Sequence, residues 1–292
     1  HATDAKFAAD MVANGFTIND AVLRTCGIRT ALPDNENQAL LTMMMASEQT
    51  DSISRQKYID DFMRKFPSST EGYTNKASSY VNGGKFEEAD KVMQTALEKV
   101  AKKDEAHSEY AKVIYQKELF SNKPYTNWSL DKALEESKKA SAINDLDVYR
   151  HQQAQITYSK GEYQNAYNMF IALTKTKLRN GELFYEASQC KTQLKAPQNE
   201  VMALLDSAIA ACPQPPTSIA APYVLARGIA YDAMKNYHNA LVDYNEYDSL
   251  MSGRPLNSSF YYTRYKCELQ VHRFQQALND IARAIIVKPN EP

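Results

Sequence analysis

Glycine is scarce in this sequence of 292 residues, with nine, and tryptophan occurs once. Long stretches lack both glycine and proline, and Ala, Leu, Lys and Glu recur at spacings of three and four, which marks a helical chain. Net charge is nearly absent too: 34 Lys and Arg stand against 35 Asp and Glu, leaving −1. That balance gives no electrostatic reason to expect nucleic acid or an acidic membrane as partner. No apolar run approaches the roughly 18 residues that a membrane span needs. The four cysteines, Cys26, Cys190, Cys212 and Cys267, show no CxxC spacing. They read as small buried hydrophobes, with a disulfide or a metal pair as the alternative.

Catalytic signatures are equally lacking. There is no HExxH, phosphate-binding loop, GxGxxG, GxSxG or EF-hand loop, so the sequence implies no enzyme, metal or cofactor. The five histidines, His1, His107, His151, His238 and His272, are scattered. His238 and His272 read as exposed turn residues. The carboxylates of "FEEAD", "LEES" and "NEYD" are expected on a solvated helix face, whereas catalytic acid pairs need a shielded cleft. No signal peptide is visible, and the chain opens on His1 rather than Met. We expect a chain that has been trimmed, tagged or processed, with a bacterial cell-envelope location (periplasmic or secreted) ahead of a cytoplasmic one.

What is present is a repeat. "RGIAYDAMKNYHNALVDYNEY" holds Gly228, Tyr237, Ala240 and Tyr247, at offsets of 9, 12 and 19 from the glycine. The same offsets connect Ala77, Phe86, Ala89 and Ala96, then Ala154, Tyr163, Ala166 and Leu173, then Tyr265, Phe274, Ala277 and Ala284. Weaker copies fill the gaps. Ala111 with Ala133 and Ala140 carries an insertion around "LFSNKPYTNWSL", and Ala187 with Ala203 and Ala210 carries another around "LKAPQN". Small residues allow two helices to approach closely, and an aromatic beside the turn fills the gap.

These segments resemble the tetratricopeptide repeat, a helix–turn–helix unit of about 34 residues. Gly228, Tyr231, Tyr237, Ala240 and Tyr244 fall on family positions. The resemblance implies an all-α, right-handed superhelical solenoid of about seven helix pairs, starting near residues 36, 70, 104, 147, 180, 221 and 258. Residues 1–34 are expected to form a helical cap or extension, and 35–292 the solenoid. "CPQPPTSIAAP" reads as a stiff connector. The chain stops at "KPNEP" without a capping helix, and we expect the native chain to continue.

The resemblance implies a non-catalytic role, binding a peptide segment or partner protein on the concave face and scaffolding an assembly. In this family certain first-helix positions face that groove. Carried over, they give Thr74, Ser78 and Asn82, with Asn75 beside them, then Ser108, Lys112, Tyr115 and Gln116. Later pairs give His151, Gln155 and Tyr158, then Phe184 and Ser188, then Ile229, and finally Tyr262 and Lys266. The strip is polar and amide-rich with scattered rings, so a carbohydrate or small ligand is the alternative occupant. A clamp for two carboxylates, used by some members, is not matched, since Glu105 and Glu109 would repel a carboxylate. The insertion holds Tyr125 and Trp128, which read either as a partner contact or as cover for a helix capped by Ser129.

Overall fold

The computed structural model describes residues 52–252, 254 and 256–288, together with residue 39. The expected cap over residues 1–34, the first helix of the pair expected near residue 36, His1 and Cys26 all lie outside the described residues. Among the described residues there are thirteen helices and no strand. They are α1 (Ser52–Lys65), α2 (Thr70–Asn82), α3 (Phe86–Lys99), α4 (Lys103–Phe120), α5 (Leu130–Ile143), α6 (Asp147–Ser159) and α7 (Tyr163–Leu173). Then follow α8 (Gly181–Gln193), α9 (Gln198–Ala210), α10 (Ala221–Ala233), α11 (Tyr237–Leu250), α12 (Ser258–Gln270) and α13 (Phe274–Val287). The chain forms two compact units, one ending at Tyr149 and the other beginning at Arg150.

The helices come in pairs because five turns are built alike. Gly84, Gly161, Lys195, Lys235 and His272 each adopt a left-handed backbone, with φ between 53° and 82°. In each turn the left-handed residue bonds back three residues, as Gly84 N–H does to Val81 (2.9 Å) and Lys235 N–H to Asp232 (2.8 Å). The next residue bonds back five, as Lys85 N–H does to Tyr80 and Asn236 N–H to Tyr231, both 2.9 Å. This pair of bonds satisfies the last carbonyls of the first helix and reverses the chain within three or four residues. An aromatic residue opens the second helix in four pairs: Phe86, Tyr163, Tyr237 and Phe274.

Small residues set the approach of the paired helices. Ala77, Ala89, Ala111, Ala133, Ala154, Ala166 and Ala240 are fully buried. At Gly228 a Cβ would lie 2.8 Å from Tyr244 Cε1, so the Tyr244 ring rests directly on the glycine backbone. The equivalent positions in α12 and α13 are Tyr265 and Ile281, the large residue standing on the first helix and the smaller on the second.

One reading of the register is corrected. In α9 the residues at the helix crossing are not Ala203 and Ala210, which are exposed, but Val201, Leu205 and Ala208. Val201 lies 14 residues after Ala187, so the insertion there is two residues rather than four. The insertion between Ala111 and Ala133 falls where the sequence places it and divides its length. It extends α4 to 18 residues, against 13 in α2, and leaves the rest as a loop that returns to the core. The connector after α9 is likewise part of the packing: Cys212 and Ala220 join Phe184, Ala208, Tyr223 and Val224 in one buried cluster. Cys190, Cys212 and Cys267 are free thiols and buried.

Candidate functional site

In the first unit the polar strip lies on α2 and α4. Asn82 and Gln116, near the C-terminal ends of these helices, meet across them, with Gln116 Nε2 donating to Asn82 Oδ1 at 3.1 Å. An open depression of about 330 Å³ lies here, lined by Asn82, Gly83, Gln116, Phe120, Ser121 and Lys123 among others. Phe120 stands at its edge with 82% of its surface exposed. Further along the strip, Asn75 donates to the Glu71 carbonyl at 2.8 Å, and Lys112 pairs with Glu109 at 3.1 Å. Ser78 and Tyr115 are half-buried.

In the second unit α6 and α8 are joined by a compact polar group. His151 Nε2 meets Glu186 Oε2 at 2.5 Å, and Gln155 donates to Glu186 Oε1 at 2.7 Å. The imidazole also packs edge-on against Phe170. Burial opposes its charged form, but the hydrogen bond and charge of Glu186, with Glu182 adding to them, prevail and raise its pKa above the ordinary value. Tyr158 is half-buried with its ring edge-on to Tyr163. On α12, Tyr262 is half-buried and Lys266 exposed, and on α10 the side chain of Ile229 is exposed.

Several expected strip residues are not at the surface. Phe184 is buried among Ala208, Cys212, Ala220, Tyr223 and Val224. Thr74, Ser108 and Ser188 are buried too. The hydroxyls of Thr74 and Ser188 are turned onto their own helices, donating to the carbonyls of Thr70 (3.1 Å) and Tyr185 (2.6 Å). Trp128 is also a core residue, packed on Phe86, Tyr110 and Tyr125. It covers the start of α5, where Ser129 accepts a bond from Lys132 N–H at 3.1 Å.

The insertion has a second anchor. Tyr125 and Tyr110 both donate to the buried carboxylate of Asp90, Tyr125 at 2.8 Å. Burial and these bonds push the Tyr125 hydroxyl up to about 12.

Not every second-helix carboxylate is solvated. Besides Asp90, Glu136 of "LEES" is buried, held by His107 at 2.6 Å and by Lys132 and Lys139 at 2.9 Å each. Asp243 is buried against Arg227, which also reaches Asp206. Asp280 is buried against Arg264, which also reaches Asn245 and Asp248. A sequence signal for the last two existed, because each arginine stands 16 residues before its aspartate. Asp243 and Asp280 are each neutralised by an arginine on the first helix of the same pair, Glu136 is paired with Lys132 and Lys139 of its own helix and reached by His107 from α4, and Asp90 is held by two tyrosine hydroxyls, so all four tie segments together. Among the described residues no group of three or more His, Cys, Asp or Glu is placed to hold a metal ion. No helix among them is long and apolar enough to cross a membrane.

Paired helices closed by one recurrent turn define a helical-repeat protein. The repeat is of the tetratricopeptide type. A tetratricopeptide repeat protein from Parabacteroides merdae superposes with a TM-score of 0.54 at 14% identity, over 97% of this chain and 98% of that one. PilW, a widely conserved type IV pilus biogenesis factor, superposes with 0.58 at 17% identity, over 76% of this chain and 94% of its own. A chain of the APC/C hetero-tetramer Cut9–Hcn1 gives 0.56 at 14% identity, over 92% of this chain and 48% of its own. These likenesses establish the fold. No protein-family model matches the sequence, and neither does any curated protein.

Proposed function

We propose that the protein is a non-catalytic interaction module that binds a peptide segment or partner protein along the exposed face of its first helices. The observation that carries this reading is the group at the ends of α2 and α4. There an amide pair, Asn82 and Gln116, and the exposed Phe120 ring surround an open depression with Lys123 at its edge. Amides can exchange their mutual bond for bonds to a peptide backbone, and an exposed ring supplies flat apolar area at small entropic cost. Asn75, Ser78, Lys112 and Tyr115 extend the surface in the first unit. His151, Gln155, Tyr158, Tyr262 and Lys266 supply its counterpart in the second. That fold-mates include a pilus biogenesis factor and a member of a hetero-tetramer is consistent with a scaffolding role.

The test is comparative affinity capture with the full chain as bait. Phe120→Ala combined with Gln116→Ala is expected to lower recovery of the bound protein roughly tenfold, the scale of one interface hot spot. Val242→Ala, an exposed change on the second helix α11, is expected to leave it unchanged. Equal recovery by all three chains would show that this face is not the binding surface.

A further inference from the structure

Among the described residues, the depression at the ends of α2 and α4 carries one charge, and that charge is unpaired. Its lining holds Lys123 and no carboxylate. The backbone N–H of Lys123 donates to Ser121 Oγ at 3.3 Å, but its ammonium makes no hydrogen bond or ion pair among the described residues. Nearby lysines of α4 are already engaged, Lys112 with Glu109 and Lys117 with Glu118. Lys123 is also held in place. Its Nζ lies over the turn at Gly84, where a Cβ would come within 3.2 Å of it. Two residues on, Tyr125 ties the loop to the buried Asp90 at 2.8 Å.

The groups beside the ammonium are donors too. Gln116 gives one N–H to Asn82 Oδ1 at 3.1 Å, which leaves the Asn82 amide with both of its own N–H groups and Gln116 with its second. A carboxylate accepts such bonds with either oxygen, and bonds to a charged acceptor are the stronger kind. The side-chain carbonyl of Gln116 remains as an acceptor for a peptide N–H. Gly83 and Ser121, the residues that cap the C-terminal ends of α2 and α4, also line the depression. Helix C-termini carry partial negative charge, so an anion is disfavoured here except where the ammonium and the amides reach it. That limits the occupant to a single carboxylate. A phosphate brings up to twice the charge, and no second cation among the described residues lines the depression.

We propose that the depression takes an acidic side chain of the bound segment, a step that rests on the first-helix face being a peptide-binding surface. The carboxylate lies on Lys123, Asn82 and Gln116, and a neighbouring apolar side chain lies on the exposed Phe120 ring. Both Lys123 and Phe120 belong to the insertion between Ala111 and Ala133, so the preference is a property of this insertion and not of the repeat.

The experiment uses the full chain and a labelled peptide of three Leu-Asp-Ser repeats, blocked at both ends. A second peptide has Asn in place of each Asp, and a third is the Asn peptide with a free C-terminal carboxylate. Fluorescence anisotropy is expected to show saturable binding of the Asp peptide, with the Asn peptide weaker by roughly fivefold, the scale of one exposed charge pair. The gap is expected to close as salt rises from about 0.05 M to about 1 M. Lys123→Gln is expected to bring the Asp peptide down to the Asn level, while Lys177→Gln, a change in the second unit, leaves it unchanged. Both lysines are exposed, and circular dichroism melts confirm that the variants fold. Equal binding of the Asp and Asn peptides overturns the proposal but leaves the peptide-binding surface standing, as does an Asp preference that survives Lys123→Gln. Tighter binding of the third peptide than of the first assigns the site to a chain terminus and overturns the side-chain assignment. Absence of saturable binding by any peptide overturns it as well, and capture with Phe120→Ala and Gln116→Ala decides separately on the surface itself.

Discussion

At the scale of single residues, the repeat is enforced by two kinds of position, and only one was visible in the sequence. The crossing residues were legible, because Gly228, Ala77, Ala154 and their partners recur at fixed offsets. The left-handed turn residue was less so, since glycine fills it at Gly84 and Gly161 but lysine or histidine fills it at Lys195, Lys235 and His272. A left-handed residue with a side chain carries a steric cost of about 1 kcal/mol that glycine avoids. Lys235→Gly is therefore expected to raise stability by about 1 kcal/mol in denaturant unfolding. Gly228→Ala is expected to lower it by about 1–3 kcal/mol, because its Cβ would press into Tyr244 at 2.8 Å and Asp243 at 3.2 Å. If both substitutions were neutral, the turn and the crossing would not be the constraints described.

At the scale of helices, pairs are braced to one another by buried charge, and this layer was largely illegible. An aspartate on a second helix looks solvated until the neighbouring helix is known, which is why Asp90 and Glu136 were expected outside. Phe184 was misplaced for the same reason, since an aromatic at a variable position says nothing about which neighbour arrives to cover it; for Trp128 the burial favours cover of the helix start over a partner contact. Glu268 on α12 shows the cost of such burial. One carboxylate oxygen is buried without a partner. Burial, with Asp280 nearby, raises its pKa from 4.5 to about 7 despite Arg264, Arg273 and Arg283. Folding thus favours the protonated form, and its contribution is fully present below pH 4.5 and lost as pH rises through about 7. Glu268→Gln is expected to stabilise the protein by up to about 3 kcal/mol at pH 8 and to do little at pH 5. Thermal melts at the two pH values check this, and an equal shift at both would contradict it.

For the whole molecule, the sequence disclosed the fold class because a repeat states its packing rule several times over. Errors in single copies, such as the displaced register of α9, did not obscure it. The proposed binding surface was only partly legible. Family positions pointed to Asn82, Gln116 and Lys112, which the structure leaves accessible, but also to Thr74, Ser108 and Ser188, which it buries. Phe120 lay within the insertion and matched no repeat position, so its exposure emerged only from the path of α4. The central claim is that the exposed strip of the first helices receives the partner. Hydrogen–deuterium exchange of the full chain, alone and with its captured partner, tests this most directly. The account predicts slowed exchange at the C-terminal halves of α2 and α4 and the loop from Ser121 to Lys123, with α3, α5 and α11 unchanged. Protection confined to α3, α5 and α11 would contradict it.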